Sequence, residues 1–148
     1  CMTNIGHYRA AAKVLEGIKK LNAKLREAIS SINAIKGVSF GSTFSSNAFG
    51  SELHDEIEYK DNQFTRTNNN AGGIEGGMSN SQTIKINAMM KPLSTLTTPL
   101  KSVDIKTKVS KLAHKERTDS CAVPAAAIVA ESMTCIVIAD TILLSSIL

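Results

Sequence analysis

Residues 70–80 read NAGGIEGGMSN and contain two glycine pairs, Gly72-Gly73 and Gly76-Gly77. Such a segment lets backbone N–H groups approach a bound anion closely, because glycine has no Cβ and tolerates left-handed backbone. The spacing is neither G-x-G-x-x-G nor G-x-x-x-x-G-K-[ST], which excludes a Rossmann or P-loop site. Composition alone favours the alternative of a mobile surface loop, since Gly and Asn are common in that role.

On either side of this segment, the pattern predicts a helix near each end of the chain and strands between them. Residues 7–30 place apolar side chains at three- and four-residue steps, which is typical of an amphipathic helix. The further predicted elements are strands at 32–42, 56–60, 84–90 and 103–113, a long polar loop at 61–83, and a last helix at 125–144. This order predicts a single domain over residues 1–148 with an α+β fold, in which antiparallel sheets pack with helices.

Charge and cysteine content exclude several classes of protein. The 148 residues include 17 Lys and Arg against 13 Asp and Glu, and the net charge of +4 suits an anionic partner without identifying it. The three cysteines lack the spacing of a disulfide framework or a zinc site. Cys121 and Cys135 lie among apolar residues and are predicted to be buried thiols. We therefore expect a reducing, cytoplasmic compartment.

The two ends of the chain were checked for a secretory signal and for a membrane-spanning segment. The N-terminus lacks the apolar run of a secretory signal. Residues 121–148 are the most apolar part, but Glu131 and Asp140 interrupt them, so we predict a buried core helix rather than a membrane span. The chain begins with Cys1 inside what looks like continuing sequence, which indicates a fragment or a processed product.

Two further segments carry residues suited to binding or catalysis. In KPLST at 91–95, a lysine ammonium followed by hydroxyl groups could hold a phosphate. In RTDSC at 117–121, Arg117 could bind a phosphate or a planar ring, and Asp119 could accept a proton. The structural alternatives are a strand terminator with a Ser/Thr turn in the first segment, and an ion pair with a helix cap in the second.

Other classes of site have little support. The histidines His7, His54 and His114 are scattered, and none has a nucleophile nearby in the sequence from which a catalytic triad could be built. Two tyrosines, four phenylalanines and no tryptophan make a stacking surface for single-stranded nucleic acid weak. A small basic nucleic-acid-binding domain is therefore motivated by charge alone.

Taken in order, several segments resemble the chorismate synthase family. They are INAIKG at 32–37, GSE at 50–52 with DE at 55–56, NAGGIEGGMSN at 70–80, KPLST at 91–95, RTDSCAVP at 117–124 and AESM at 130–133. The glycine segment is very close to the family's N-A-G-G-I-x-G-G-I-S-N-G. The resemblance covers roughly residues 14–148 and corresponds to the C-terminal portion of the family's chain.

The resemblance implies a fold, an activity and partners. The implied fold is part of the family's α+β sandwich, and the implied enzyme is a carbon–oxygen lyase that eliminates phosphate from 5-enolpyruvylshikimate 3-phosphate to give chorismate. Reduced FMN is the implied cofactor, although the reaction has no net redox change. The implied assembly is a homo-tetramer, or a complex with an N-terminal half, with neither nucleic acid nor membrane as a partner.

Site residues are carried over by position from the resemblance. Asp119 matches an aspartate near the flavin and is the implied catalytic residue. The implied FMN-binding residues are Asn33, Ala34, Gly76, Lys91, Pro92, Leu93, Ser94, Thr95 and Arg117.

The sequence also departs from the family pattern, which keeps a second hypothesis open. Thr118 stands where the family has His, Ser120 where it has Pro, and Ala125 where it has an Arg expected near the anionic substrate. The two histidines that the family uses as acids lie in its N-terminal half. The alternative is therefore a non-catalytic fragment or relative that binds flavin or only keeps the fold.

Overall fold

A short amphipathic helix against a two-stranded ladder forms the centre of the fold. The computed structural model describes residues 20–42, 48–94, 96–115 and 121–147, with side chains to residue 144 in the last range. Its elements are α1 (Leu21–Ser30), β1 (Ile35–Phe40), α2 (Gly50–Leu53), β2 (Ile57–Lys60), β3 (Gln63–Arg66), β4 (Ile74–Glu75), β5 (Met78–Ser79), β6 (Ile86–Met90), β7 (Lys101–Val103), β8 (Ser110–Leu112) and α3 (Val123–Ile147).

Helix α1 confirms the second half of the predicted N-terminal helix. Leu21, Leu25 and Ile29 follow one another at four-residue steps, so they lie on one face of the helix, and all three are buried. The first part of the predicted helix, residues 7–19, lies outside the described residues. The buried face of α1 provides the apolar surface against which β1 packs.

All strand pairing in the described chain is antiparallel, as predicted. Strand β1 pairs with β6, and Phe40 is directly opposite Ile86 in the register. The other ladders join neighbours in the sequence: β2 with β3, β4 with β5, and β7 with β8. Leu21, Leu25, Phe40 and Ile74 form the buried core cluster. Helices with small antiparallel sheets confirm the α+β class.

Two predicted elements are wrong in detail, because the structure contains β-hairpins in both places. The predicted polar loop at 61–83 contains β3, β4 and β5. The strand predicted at 103–113 is instead a hairpin of β7 and β8, and its turn forms around the Asp104 carboxylate, which accepts the backbone N–H groups of Lys106 and Thr107. Alternation of apolar residues continued through this turn, so the pattern did not show where the strand ended.

Helix α3 begins two residues before the predicted start and contains Pro124 in its first turn, where the missing N–H would be unpaired in any case. Val137 packs against the core, and Lys24 of α1 forms an ion pair with Asp140 at 3.0 Å. The stretch Val123–Leu144 is long and apolar enough to cross a membrane by length and composition, which is weak evidence for a span.

The predictions of a buried core helix and of buried cysteines are wrong for this chain. No residue in the most apolar stretch of α3 is fully buried, although Val137 is partly buried, and Cys121 and Cys135 are exposed. Within the described residues the two helices differ greatly in length. The described part of α1 has 10 residues and α3 has 25, which correspond to lengths of about 15 and 38 Å. A helix as short as the described α1 can cover only part of the longer one.

Candidate functional site

The end of the β1–β6 ladder brings together two of the segments in which binding residues are expected. The backbone N–H of Lys91 donates to the carbonyl oxygen of Ala34 at 2.7 Å. This bond extends the ladder by one pair beyond Ile35 and Met90. Asn33 and Ala34 therefore lie directly beside the KPLST segment, although Lys91 comes 57 positions after Ala34 in the sequence.

Local backbone chemistry explains why the two segments meet there. Residues 31–34 form a tight connection from α1 to β1, in which the N–H of Ile35 donates to the carbonyl of Ile32 at 3.2 Å. Ala34 adopts a left-handed backbone with a φ of 69°, which is uncommon for a residue with a Cβ. Strand β6 ends at Met90, and the Lys91-Pro92 step prevents its continuation, because proline has no N–H to donate.

The side chains at this end of the ladder include a cation and a hydroxyl group that face solvent. Asn33, Lys91, Pro92 and Ser94 are exposed, and Leu93 is partly buried. Among the described residues, the Lys91 ammonium has no carboxylate within ion-pair distance. An unpaired ammonium and a nearby hydroxyl form the kind of donor set that a phosphate requires. Thr95 lies outside the described residues.

The glycine segment has a structural role that the sequence analysis did not predict. A Cβ on Gly72 would lie 2.2 Å from the nitrogen of Gly41, and one on Gly73 would lie 2.6 Å from the carbonyl oxygen of Thr83. Both glycines are buried. The interpretation as a surface loop is therefore wrong for this pair, because the missing side chains allow one stretch of backbone to pack against another.

The amide groups of the first glycine pair are also occupied within the fold. The N–H of Gly73 donates to the Asn69 side-chain oxygen at 2.8 Å, and the N–H of Gly72 donates to the Asn69 carbonyl at 3.2 Å. The Asn69 amide donates in turn to Thr83. These two glycine amides are consequently not available to an anion.

The second glycine pair forms the turn of the β4–β5 hairpin. Gly76 and Gly77 both have positive φ, 59° and 88°, as a two-residue hairpin turn requires. The carbonyl of Gly77 accepts the N–H of Leu21 at 3.0 Å, so the hairpin lies against the first turn of α1. Gly76 is exposed, and a Cβ there would have no described atom within 4 Å. A ligand can reach the backbone at Gly76.

Gly76 and Lys91 lie at different ends of α1. The turn at Gly76 is next to the N-terminal end of the helix, whereas Ala34 and Lys91 follow its C-terminal end. The ten residues of α1 span about 15 Å. Within the described chain, the structure thus brings Asn33, Ala34 and the KPLST segment together and leaves Gly76 apart from them.

One acidic residue, Asp55, and one basic residue, Arg66, hold the glycine segment in place, and neither was a predicted site residue. The Asp55 carboxylate accepts the backbone N–H groups of Asn70 and Ala71 at 2.8 and 2.9 Å. Arg66 donates to the Asp55 carbonyl at 3.3 Å and forms an ion pair with Glu75 at 2.6 Å. The only signal for Asp55 was its place in the GSE…DE segment, and nothing in the sequence marked Arg66.

The remaining sequence-predicted site residues, Arg117 and Asp119, lie outside the described residues, as do Thr118 and Ser120. The described chain stops at Lys115, after the β7–β8 hairpin, and resumes at Cys121, just before α3. Within the described ranges, no group of three or more His, Cys, Asp or Glu side chains is arranged to hold a metal ion.

Comparison with known proteins identifies the family. A family model described as chorismate synthase matches residues 10–143. The chorismate synthase of Exiguobacterium sp. is 52% identical over 117 residues, which are 78% of this chain and 30% of that protein. The chorismate synthase of Geobacillus sp. strain WCH70 is 52% identical over 126 residues, 84% of this chain and 32% of that protein.

A solved structure agrees with the sequence relatives. A crystal structure of chorismate synthase superposes with a TM-score of 0.61 and 36% identity, and the match covers 84% of this chain and 30% of that one. The chain spans about a third of the length of the relatives it matches. By the family match and these identities, the chain belongs to the chorismate synthase family.

Proposed function

We propose that this chain forms the C-terminal part of a chorismate synthase, which eliminates phosphate from 5-enolpyruvylshikimate 3-phosphate with reduced FMN as cofactor. The observation that carries the proposal is the hydrogen bond from the Lys91 N–H to the Ala34 carbonyl. It joins two segments that the resemblance assigns to the FMN site. Membership of the family favours this function over that of a non-catalytic relative.

The residues at the end of the β1–β6 ladder fit a phosphorylated flavin. Lys91 is exposed and has no carboxylate partner among the described residues, so its ammonium is free to hold the phosphate of FMN. Ser94 and Thr95 follow it and offer hydroxyl donors. Asn33, Ala34, Pro92 and Leu93 then contact the rest of the cofactor. Gly76 lies apart from them at the other end of α1, so its place in the FMN site rests on the resemblance alone.

In the proposed elimination of phosphate, the cofactor and the side chains of this chain have separate roles. Reduced FMN, when bound, supplies transient electron donation that assists the loss of phosphate from the substrate. Arg117 would hold the flavin through its planar guanidinium. The Asp119 carboxylate would accept, near flavin N5, the proton that the substrate loses when phosphate leaves. Lys91 would keep the cofactor in place.

Exposed apolar side chains on this chain point to a further protein surface that covers them. On α3, Ile128 and Ile136 expose 67% and 64% of their surface. The matched region spans about a third of the length of the chain's relatives. We propose that other copies of the chain, in a cytoplasmic homo-tetramer, or an N-terminal half of the family's chain cover this surface and bring the remaining substrate-binding groups.

An equilibrium titration with FMN tests the proposal. The chain is titrated with oxidised and then anaerobically reduced FMN, with and without 5-enolpyruvylshikimate 3-phosphate, followed by flavin fluorescence and absorbance. We expect saturable binding that tightens when substrate is present. Adding the N-terminal portion of a bacterial relative should restore formation of chorismate. Absence of binding with and without that portion would contradict the proposed function.

A further inference from the structure

We infer that Lys36 and Lys91 together form a two-cation subsite for a phosphate monoester at the end of the β1–β6 ladder. The inference rests on the proposed function, because the phosphate it would hold there is that of FMN. It adds Lys36, for which neither the motif pattern nor the resemblance gave a role.

A β-bulge sets the position of Lys36. In the β1–β6 register Ile35 is opposite Met90 and Gly37 is opposite Met89, so Lys36 is the extra residue between two consecutive pairs. Such a residue is left out of the ladder, and the bulge changes the direction of the side chains around it.

The bulge places Lys36 close to Lys91. Lys91 follows Met90 directly, and its N–H is bonded to Ala34, two residues before Lys36. Along the ladder, Lys36 and Lys91 are thus separated by the single pair Ile35–Met90, on neighbouring strands. A lysine carries its ammonium on a flexible four-carbon stem. The two ammonium groups can therefore reach one phosphate group between them.

Neither lysine is neutralised within the described chain. Lys36 and Lys91 are both exposed, and neither has a carboxylate partner. The ion pairs of the described residues engage other cations, which are Lys24, Lys60, Arg66 and Lys111. Two neighbouring unpaired ammonium groups repel each other, and a dianion between them relieves that repulsion. The arrangement thus favours a phosphate monoester over a neutral ligand.

The test compares FMN with riboflavin, which has the same ring and ribityl chain without the phosphate. We expect Lys36→Gln to raise the Kd for FMN about three- to tenfold at low salt and to leave the Kd for riboflavin unchanged. Lys36→Arg, which keeps the charge, should restore most of the FMN affinity. Lys85→Gln serves as a matched control, since Lys85 is an exposed lysine at the opposite end of β6.

Several outcomes would overturn the subsite. An FMN affinity that is the same in Lys36→Gln and the unmodified chain would remove Lys36 from the site. An equal loss for FMN and riboflavin would assign Lys36 a structural role in the bulge instead. A similar loss of FMN affinity in Lys85→Gln would show that the effect comes from the net positive charge of the chain and not from a specific site.

A second probe separates this inference from the proposed function. If the unmodified chain binds no flavin, the proposed function fails, but phosphorus NMR still tests the subsite with inorganic phosphate alone. We expect the phosphate line to broaden in the presence of the unmodified chain and of Lys85→Gln, and to broaden much less with Lys36→Gln. Equal broadening for all three proteins would contradict the subsite.

Discussion

The carboxylate of Asp55 accepts the backbone N–H of Asn70 at 2.8 Å. This contact joins the GSE…DE segment to the glycine segment, so two of the motifs that identify the family support each other structurally. The same carboxylate also accepts the N–H of Ala71. The position of the glycine backbone thus depends on one acidic side chain that lies 15 residues earlier in the chain.

Replacement of Asp55 should destabilise the fold. Asp55→Ala leaves two backbone N–H groups without their charged acceptor, and we expect the free energy of unfolding to fall by about 1–3 kcal/mol. Urea denaturation followed by circular dichroism measures the change. Asp61→Asn is the control, because Asp61 is exposed in the β2–β3 turn with a φ of 51°, which Asn adopts readily. An equal stability of both variants would contradict the role of Asp55.

The two glycine pairs should respond differently to alanine. At Gly72 the new Cβ would collide with backbone atoms of Gly41, so Gly72→Ala should lower the free energy of unfolding by about 3 kcal/mol or prevent folding. At Gly76 the new Cβ meets no described atom, and we expect only the left-handed backbone cost of about 1 kcal/mol. Urea denaturation of the two variants under the same conditions measures both changes in the free energy of unfolding. The prediction fails if Gly76→Ala is the more damaging change.

The β7–β8 hairpin should be sensitive to acid. Hydrogen bonds from the Thr107 backbone, the Lys111 side chain and the Lys106 backbone lower the pKa of Asp104 below its ordinary value. A carboxyl group whose pKa is lower in the folded state stabilises that state above the ordinary pKa. This contribution is lost as the pH falls through the lowered value.

An NMR titration of the side-chain carboxyl groups checks this behaviour. The Asp104 signal should titrate at lower pH than an aspartate in an unfolded peptide. The amide signals of Lys106 and Thr107 should shift in the same pH range, because both amides donate to Asp104. An Asp104 pKa at or above the ordinary value would contradict the geometry of the turn.

Loss of the Lys91 ammonium should weaken cofactor binding. In Lys91→Ala the phosphate of FMN loses a charged donor, and we expect the Kd to rise roughly tenfold. Fluorescence titration measures it, and Lys85→Gln is again the matched control. An unchanged affinity for FMN would remove Lys91 from the FMN site. The thermal stability of both variants is measured as well, and similar melting temperatures for the two would show that the Lys91 variant is folded.

Asp119 should matter for turnover rather than for binding. Asp119→Asn keeps the size of the side chain but cannot accept the proton, so we expect FMN to bind normally and the rate of chorismate formation to fall about a hundredfold or more. The assay uses the chain together with the N-terminal portion of a relative. A fully active variant would exclude Asp119 from the mechanism.

Local patterns were sufficient for some elements and failed where turns interrupted them. Alternation identified β2 and β6, apolar residues with glycine turns on each side indicated β1, and the three- and four-residue steps of the apolar side chains identified α1. The hairpins within 61–83 escaped because β4 and β5 have two residues each, too few for a periodic signal. The Gly76-Gly77 pair between them is nonetheless a typical hairpin turn.

The candidate site shows the limit of sequence information more clearly. The resemblance supplied Ala34 and Lys91 separately, but their contact depends on the pairing of β1 with β6, which joins residues far apart in the sequence. The frame around Asp55 and Arg66 also consists of long-range contacts that no spacing rule describes. The exposure of α3 could not be predicted, since burial depends on what a helix packs against.

The exposed face of α3 has a consequence for the behaviour of this chain in solution. Ile128 and Ile136 expose 67% and 64% of their surface, and contiguous apolar surface of this kind promotes association between molecules. The chain studied on its own should therefore aggregate as its concentration rises. Conditions that keep it soluble, such as low protein concentration, would then decide whether its ligand binding can be measured at all.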